Sequence, residues 1–157
     1  MKKFSSLRSI IAVCLLALLC ALCRSTFAQE VDIPSAQLVQ PAELVKMLDA
    51  SGSDKPLILQ VGSRVLYTQA HVPGSEYVGA AGEASGLKAL RDRVKDLDHD
   101  RFIVIYCGCC PWKDCPNIRA AYRELSSLGF TRVKALYLAS NFGTDWVSKG
   151  FPVAKGQ

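Results

Sequence analysis

Histidine is scarce in this chain of 157 residues: there are two, His71 and His99, and neither has partners in sequence that would complete a Cys-His hydrolase triad. His71, within His71-Val-Pro-Gly74, reads as a residue that fixes a turn through a hydrogen bond. His99, between Asp98 and Asp100, reads as a surface residue at a helix end. Also missing are internal repeats, low-complexity tracts and any apolar run of the ~20 residues needed to cross a bilayer. The run from Ile10 to Leu22 stops at 13 residues. It follows Lys2, Lys3 and Arg8 and precedes Thr26-Phe27-Ala28, the order of a secretory leader with its cleavage site. Residues 1–28 are therefore expected to be a signal peptide. Residues 29–157 are expected to form a single exported domain, periplasmic or secreted, with no membrane attachment once the leader is cleaved.

A basic excess is missing too once the leader is set aside. The whole chain is formally +5, but the leader holds four of the 19 basic residues and no acid, leaving a net charge of about +1. No basic stripe for nucleic acid and no polybasic membrane patch are present. The remaining 129 residues suffice to bury one core without staples.

What the chain does have is cysteine. Cys14, Cys20 and Cys23 belong to the leader region; the other four fall within nine residues, Cys107-Gly-Cys-Cys-Pro-Trp-Lys-Asp-Cys115. This cluster directly follows the apolar run Arg101-Phe-Ile-Val-Ile-Tyr106 and precedes Pro116, which opens a helical pattern. A cysteine closing a buried strand, with a helix N-terminus beyond it, lies beside N–H dipoles that favour a thiolate and hold an anion. In an exported, oxidising compartment such thiols also raise a redox question.

The rest of the chain alternates. Gln37-Leu-Val39 reads as a short edge strand, Pro41 to Asp49 as a helix, and Leu57-Ile-Leu-Gln-Val61 as a strand buried on both faces. Arg64 to Gly79 holds a short helical turn, the Pro73-Gly74 turn and a brief strand at Glu76-Tyr-Val78. Leu87, Leu90, Val94 and Leu97 mark an amphipathic helix. Ile118, Ala121, Tyr122, Leu125 and Leu128 form the stripe of a helix that Gly129 stops. Val133 to Leu138 follows as a strand and Phe142 to Lys149 as a last short helix. Alternation of this kind predicts an α/β domain with a mainly parallel sheet and a ligand site outside the carboxyl ends of its strands.

The ordered set Leu57-Ile-Leu-Gln-Val61, Tyr67, His71-Val-Pro-Gly74, Ile103-Val-Ile-Tyr-Cys107, Leu128-Gly-Phe130 and Val133 resembles a rhodanese-like (sulfurtransferase) domain over about Gln37 to Val153. The resemblance implies a five-stranded, mainly parallel sheet with helices on both faces. It also implies a Cys107 nucleophile that takes a sulfane sulfur from a donor such as thiosulfate or a persulfide, and passes it to a thiophilic acceptor. The partners implied are a small anionic sulfur donor and a thiol acceptor, including a protein thiol; no cofactor is expected. Gly108, Trp112, Lys113 and Arg119 are the candidates for the anion-binding loop, with Lys113 as a solvated loop lysine and Arg119 as a helix-surface arginine the more common alternative. Trp112 is expected either to cap the pocket or to anchor the loop. The loop is longer than the family's usual one. Gln60 and Gly62 stand at positions that are commonly charged, which implies a different hydrogen-bond arrangement beneath the site, with Arg64 as a compensating residue.

The extra cysteines admit several readings. Cys110, through the Cys107-Gly-Cys-Cys110 spacing, is the first candidate to resolve a Cys107 persulfide; the same spacing suits a thiol-disulfide oxidoreductase. Alternatively Cys109 or Cys110 pairs with Cys115 in a plain loop disulfide. As a non-catalytic module the domain would be a sulfur carrier or would hold a soft metal, but adjacent Cys109 and Cys110 are expected to diverge rather than share one ion. No metal is therefore assigned.

Overall fold

The computed structural model describes residues 32–156; the expected leader lies outside the described residues. The strands are β1 (Leu38–Val39), β2 (Leu57–Gln60), β3 (Glu76–Tyr77), β4 (Ile103–Tyr106) and β5 (Val133–Leu136). They interleave with helices α1 (Pro41–Leu48), α2 (Arg64–Gln69), α3 (Ala84–Val94), α4 (Pro116–Ser127) and α5 (Phe142–Asp145). One sheet in the order β1-β5-β4-β2-β3 results, parallel at every pairing. The expected five-stranded sheet is thus present, with β4, the chain's best strand by sequence, at its centre.

Burial on both faces explains the continuous apolar runs of β2 and β4. Alternate side chains point to opposite faces. Leu57, Leu59, Val61, Ile103 and Ile105 pack with Leu90 and Val94 of α3 and with Ile118, Ala121 and Leu125 of α4. Ile58, Val104 and Tyr106 pack on the other face with Leu44 of α1, Phe142 of α5 and Trp146. Helices therefore cover both faces. Proline at the first position opens α1 and α4, and in α1 the Gln40 N–H donates to Glu43 Oε2 at 2.8 Å, half of a reciprocal capping box.

The C-terminal segment departs from expectation. A single helix over Phe142 to Lys149 is interrupted at Trp146, whose backbone turns to φ −123°, ψ −63° before a 3₁₀ turn at Val147–Lys149. The break lets the indole enter the core while its Nε1–H donates to the Pro152 carbonyl at 2.8 Å. Burial of the large ring with its one donor satisfied outweighs another turn of regular helix. His71 does fix a turn: its ring stacks on Tyr67 at 4.0 Å and Nδ1 lies 2.8 Å from the Tyr67 carbonyl oxygen. His99 is exposed, as expected.

Candidate active site

Cys107 directly follows β4 and continues its alternation, so its side chain points to the α4 face; only 5% of the residue is exposed. The end of β2 holds it in place. Buried Gln60 donates from Nε2 to the Cys107 carbonyl at 3.0 Å and accepts the Gly62 N–H on Oε1 at 3.1 Å. A Cβ at position 62 would lie 2.7 Å from Cys107 Sγ and 2.9 Å from its carbonyl oxygen, so the thiol occupies space that only glycine leaves open. Gln60 therefore supplies the changed hydrogen-bond arrangement that its sequence position implied. Arg64 does not compensate beneath the loop: it is exposed, with its guanidinium 5.2 Å from the centre of the Tyr77 ring.

Beyond Cys107 the loop turns on Gly108, at φ +78°. Its carbonyl accepts the Phe142 N–H at 3.0 Å, and a Cβ there would meet Phe142 Cβ at 2.8 Å. Trp112 anchors the far side. Its N–H donates to the Ala139 carbonyl at 3.2 Å and its ring packs on Tyr137 at 5.2 Å. Arg119, expected near the anion, instead reaches back along the loop. Its Nη1 donates to the carbonyls of Trp112, Lys113 and Cys115 at 3.0, 3.3 and 3.4 Å, because a nine-residue excursion between strand and helix leaves carbonyls that need donors. Lys113 is exposed and borders neither cavity that Cys107 lines. The two expected cations thus support or decorate the loop rather than face the thiols.

The sulfurs converge. Cys107 and Cys109 Sγ are 3.0 Å apart and Cys109 and Cys110 Sγ 3.5 Å. All three lie within 4.8 Å of one another, so adjacency does not drive Cys109 and Cys110 apart as expected. Among the described residues these three could hold a thiophilic ion. The four loop cysteines are free thiols in this structure. Asn117, which the sequence reading missed, donates from Nδ2 to Cys107 Sγ at 3.3 Å and to Cys109 Sγ at 3.7 Å. The Gly82 N–H, 2.8 Å from Asn117 Oδ1, sets the amide orientation, so its NH₂ must face the sulfurs. The available signal was one polar side chain on the otherwise apolar stripe of α4.

Protonation is shared unequally. Its interaction with Cys115, followed by burial, holds Cys107 well above the ordinary thiol range. That same interaction lowers Cys115 to about 6, aided by the Ile118 and Asn117 amides at the start of α4. The two groups therefore titrate as a coupled pair that shares one proton. Burial, then its neighbours Cys115 and Cys109, push Cys110 up to about 12.

Two cavities meet at the thiols. Cys107 and Cys109 line one of about 260 Å³ with Gln60, Tyr67, Tyr106 and Phe142. Cys109 also lines a second, of about 580 Å³, with Gly62, Arg64, Tyr77, Glu83 and Asn117. Cys107, Cys110 and Cys115 share a small void under the loop with Trp112 and Ile118.

Compared with known families, residues 40–138 match the model of the rhodanese-like domain. The chain belongs to the rhodanese-like family. The family includes sulfurtransferases. Solved structures agree on the fold: the rhodanese-like domain from Anabaena sp. matches with a TM-score of 0.56 at 21% identity, over 76% of this chain and 79% of that one. The BH2092 protein from Bacillus halodurans gives 0.56 at 21%, over 74% and 75%. EanB, solved as a cysteine persulfide with ergothioneine, gives 0.55 at 20%, over 74% of this chain but 27% of EanB. Among curated proteins none matches the sequence. Within this rhodanese-like domain the Gln60 clamp and the Asn117 amide converge on the strand-end thiol of Cys107.

Proposed function

We propose that this rhodanese-like domain is an exported sulfurtransferase that carries a sulfane sulfur on Cys107. The observation that supports this most is the seat of Cys107 Sγ. It lies at the carboxyl end of the central strand, 3.3 Å from Asn117 Nδ2 and open to the 260 Å³ cavity. The donor is a small anionic sulfane compound of the thiosulfate or persulfide class, and the acceptor is a thiol, of a small molecule or of a protein.

Transfer begins with a proton. Cys107 and Cys115 hold one proton between them, and in the form that has it on Cys115 the Cys107 thiolate attacks the outer sulfur of the donor. The donor S–S bond breaks, sulfite or a thiolate leaves with the bonding pair, and Cys107 becomes a persulfide. A thiolate acceptor then attacks the terminal sulfur, and Cys107 departs as the leaving group. Asn117 donates to sulfur as charge moves through it. Intact mass of the purified protein, before and after thiosulfate treatment, tests the reading. A gain of one sulfur on Cys107 is expected, and a chain that gains none overturns it.

The distance of 3.0 Å between Cys107 and Cys109 Sγ also favours a second reading, thiol-disulfide exchange. It moves the partner from Cys110 to Cys109. Treatment with a small disulfide in place of thiosulfate then gives a loss of two hydrogens from the chain, as the small disulfide is reduced to two thiols.

The pH profile follows from the Cys115 thiolate. Cys115 accepts the Cys107 proton only when it is itself ionised, so loading rises with pH through about 6 and falls below it. Cys115→Ser removes that base, and the acid limb should move up towards the ordinary thiol value of about 8.5. Single-turnover loading rates from acid to alkaline pH check this; an unmoved limb removes Cys115 from the mechanism.

A further inference from the structure

We infer that Cys109 is a second sulfur-carrying residue, which takes the sulfane sulfur from Cys107 on the side of the smaller cavity and presents it to a thiol acceptor in the larger one. The inference rests on the sulfurtransferase reading of Cys107. Three observations carry it. Cys109 Sγ is 3.0 Å from Cys107 Sγ. Cys109 is the cysteine that borders both cavities, while Cys107 borders the smaller one. Asn117 Nδ2 lies within reach of both sulfurs, at 3.3 and 3.7 Å, so one fixed donor serves the sulfur before and after the move.

The chemistry balances without an outside reductant. The Cys109 thiolate attacks the terminal sulfur of the protonated Cys107 persulfide. The bond between that sulfur and Cys107 Sγ breaks, the bond to Cys109 Sγ forms, the proton stays on the moving sulfur, and Cys107 leaves as a thiolate. Two S–S bonds of about 2.05 Å laid end to end span about 4.1 Å, so the two thiols part by roughly 1 Å when sulfur arrives. Cys109 is half-buried and sits in an irregular loop, which permits such a rotation. The larger cavity presents Arg64 and Glu83 as well as backbone, so it suits a small polar thiol carrying both charges.

The test uses the whole protein, thiosulfate as donor and free cysteine as acceptor. After loading, persulfides are alkylated and located by fragmentation mass spectrometry, and turnover to free cysteine is followed separately. In the wild type, added sulfur is expected on both Cys107 and Cys109. In Cys109→Ser it should be found on Cys107 alone, with turnover at least about tenfold lower; Cys109→Ala, without a hydroxyl, should behave the same way. Wild-type turnover in both variants overturns the relay. So does a Cys107–Cys109 disulfide with release of sulfide, which would mean attack on the inner sulfur instead. Failure of the wild type to load Cys107 at all is a different result and defeats the sulfurtransferase reading itself.

Discussion

Cys107→Ala is expected to lower sulfur transfer by at least about 1,000-fold, to the level of the uncatalysed exchange, because among the described residues it removes the atom placed to form the first covalent bond. The other thiols do not substitute. Burial pushes Cys110 up to about 12, and Cys115 is buried beside the small void under the loop. Cys109 is close to the donor cavity but lacks the backing that Gln60 and Gly62 give to Cys107. The alanine side chain fits the same space, so circular dichroism should show an intact fold. Steady-state transfer from thiosulfate to a thiol checks the prediction, and a variant with full activity would remove Cys107 from its assigned role.

Trp146→Ala should give a large loss of stability, about 3–5 kcal/mol, out of the 5–15 kcal/mol typical of a domain. Trp146 is 0% exposed. Its ring stacks on Phe142 at 5.7 Å and packs against Phe151 at 5.3 Å. Truncation opens a cavity among these rings and leaves the Pro152 carbonyl without its donor. The damage reaches the site, since Phe142 both packs against Gly108 and donates to its carbonyl. Urea unfolding followed by fluorescence and circular dichroism measures the loss; a change under about 1 kcal/mol would mean that the pocket collapses around the gap.

Regular elements were legible because their causes are local and periodic. The run Ile103-Val-Ile-Tyr106 is apolar at every position because both of its faces are covered, and its end marked Cys107 as the candidate nucleophile. The α3 and α4 stripes followed from helical spacing in the same way. The loop was not legible, because its side-chain directions depend on contacts distant in sequence. Gly108 adopts its positive φ against Phe142, 34 residues away by number, and that turn brings Cys109 rather than Cys110 against Cys107. Asn117 gained its role from Gly82, on the turn before α3. Arg119 looked like an anion ligand because charge is visible in a sequence, whereas carbonyls in need of donors are not.

That use of Arg119 has a kinetic consequence. A guanidinium bound to the Trp112, Lys113 and Cys115 carbonyls is aimed at the loop backbone rather than at the smaller cavity, and among the described residues no lysine or arginine lines that cavity. Anionic donors then arrive by unassisted diffusion, and added salt, which slows association only where charge steers it, should leave the loading rate nearly flat.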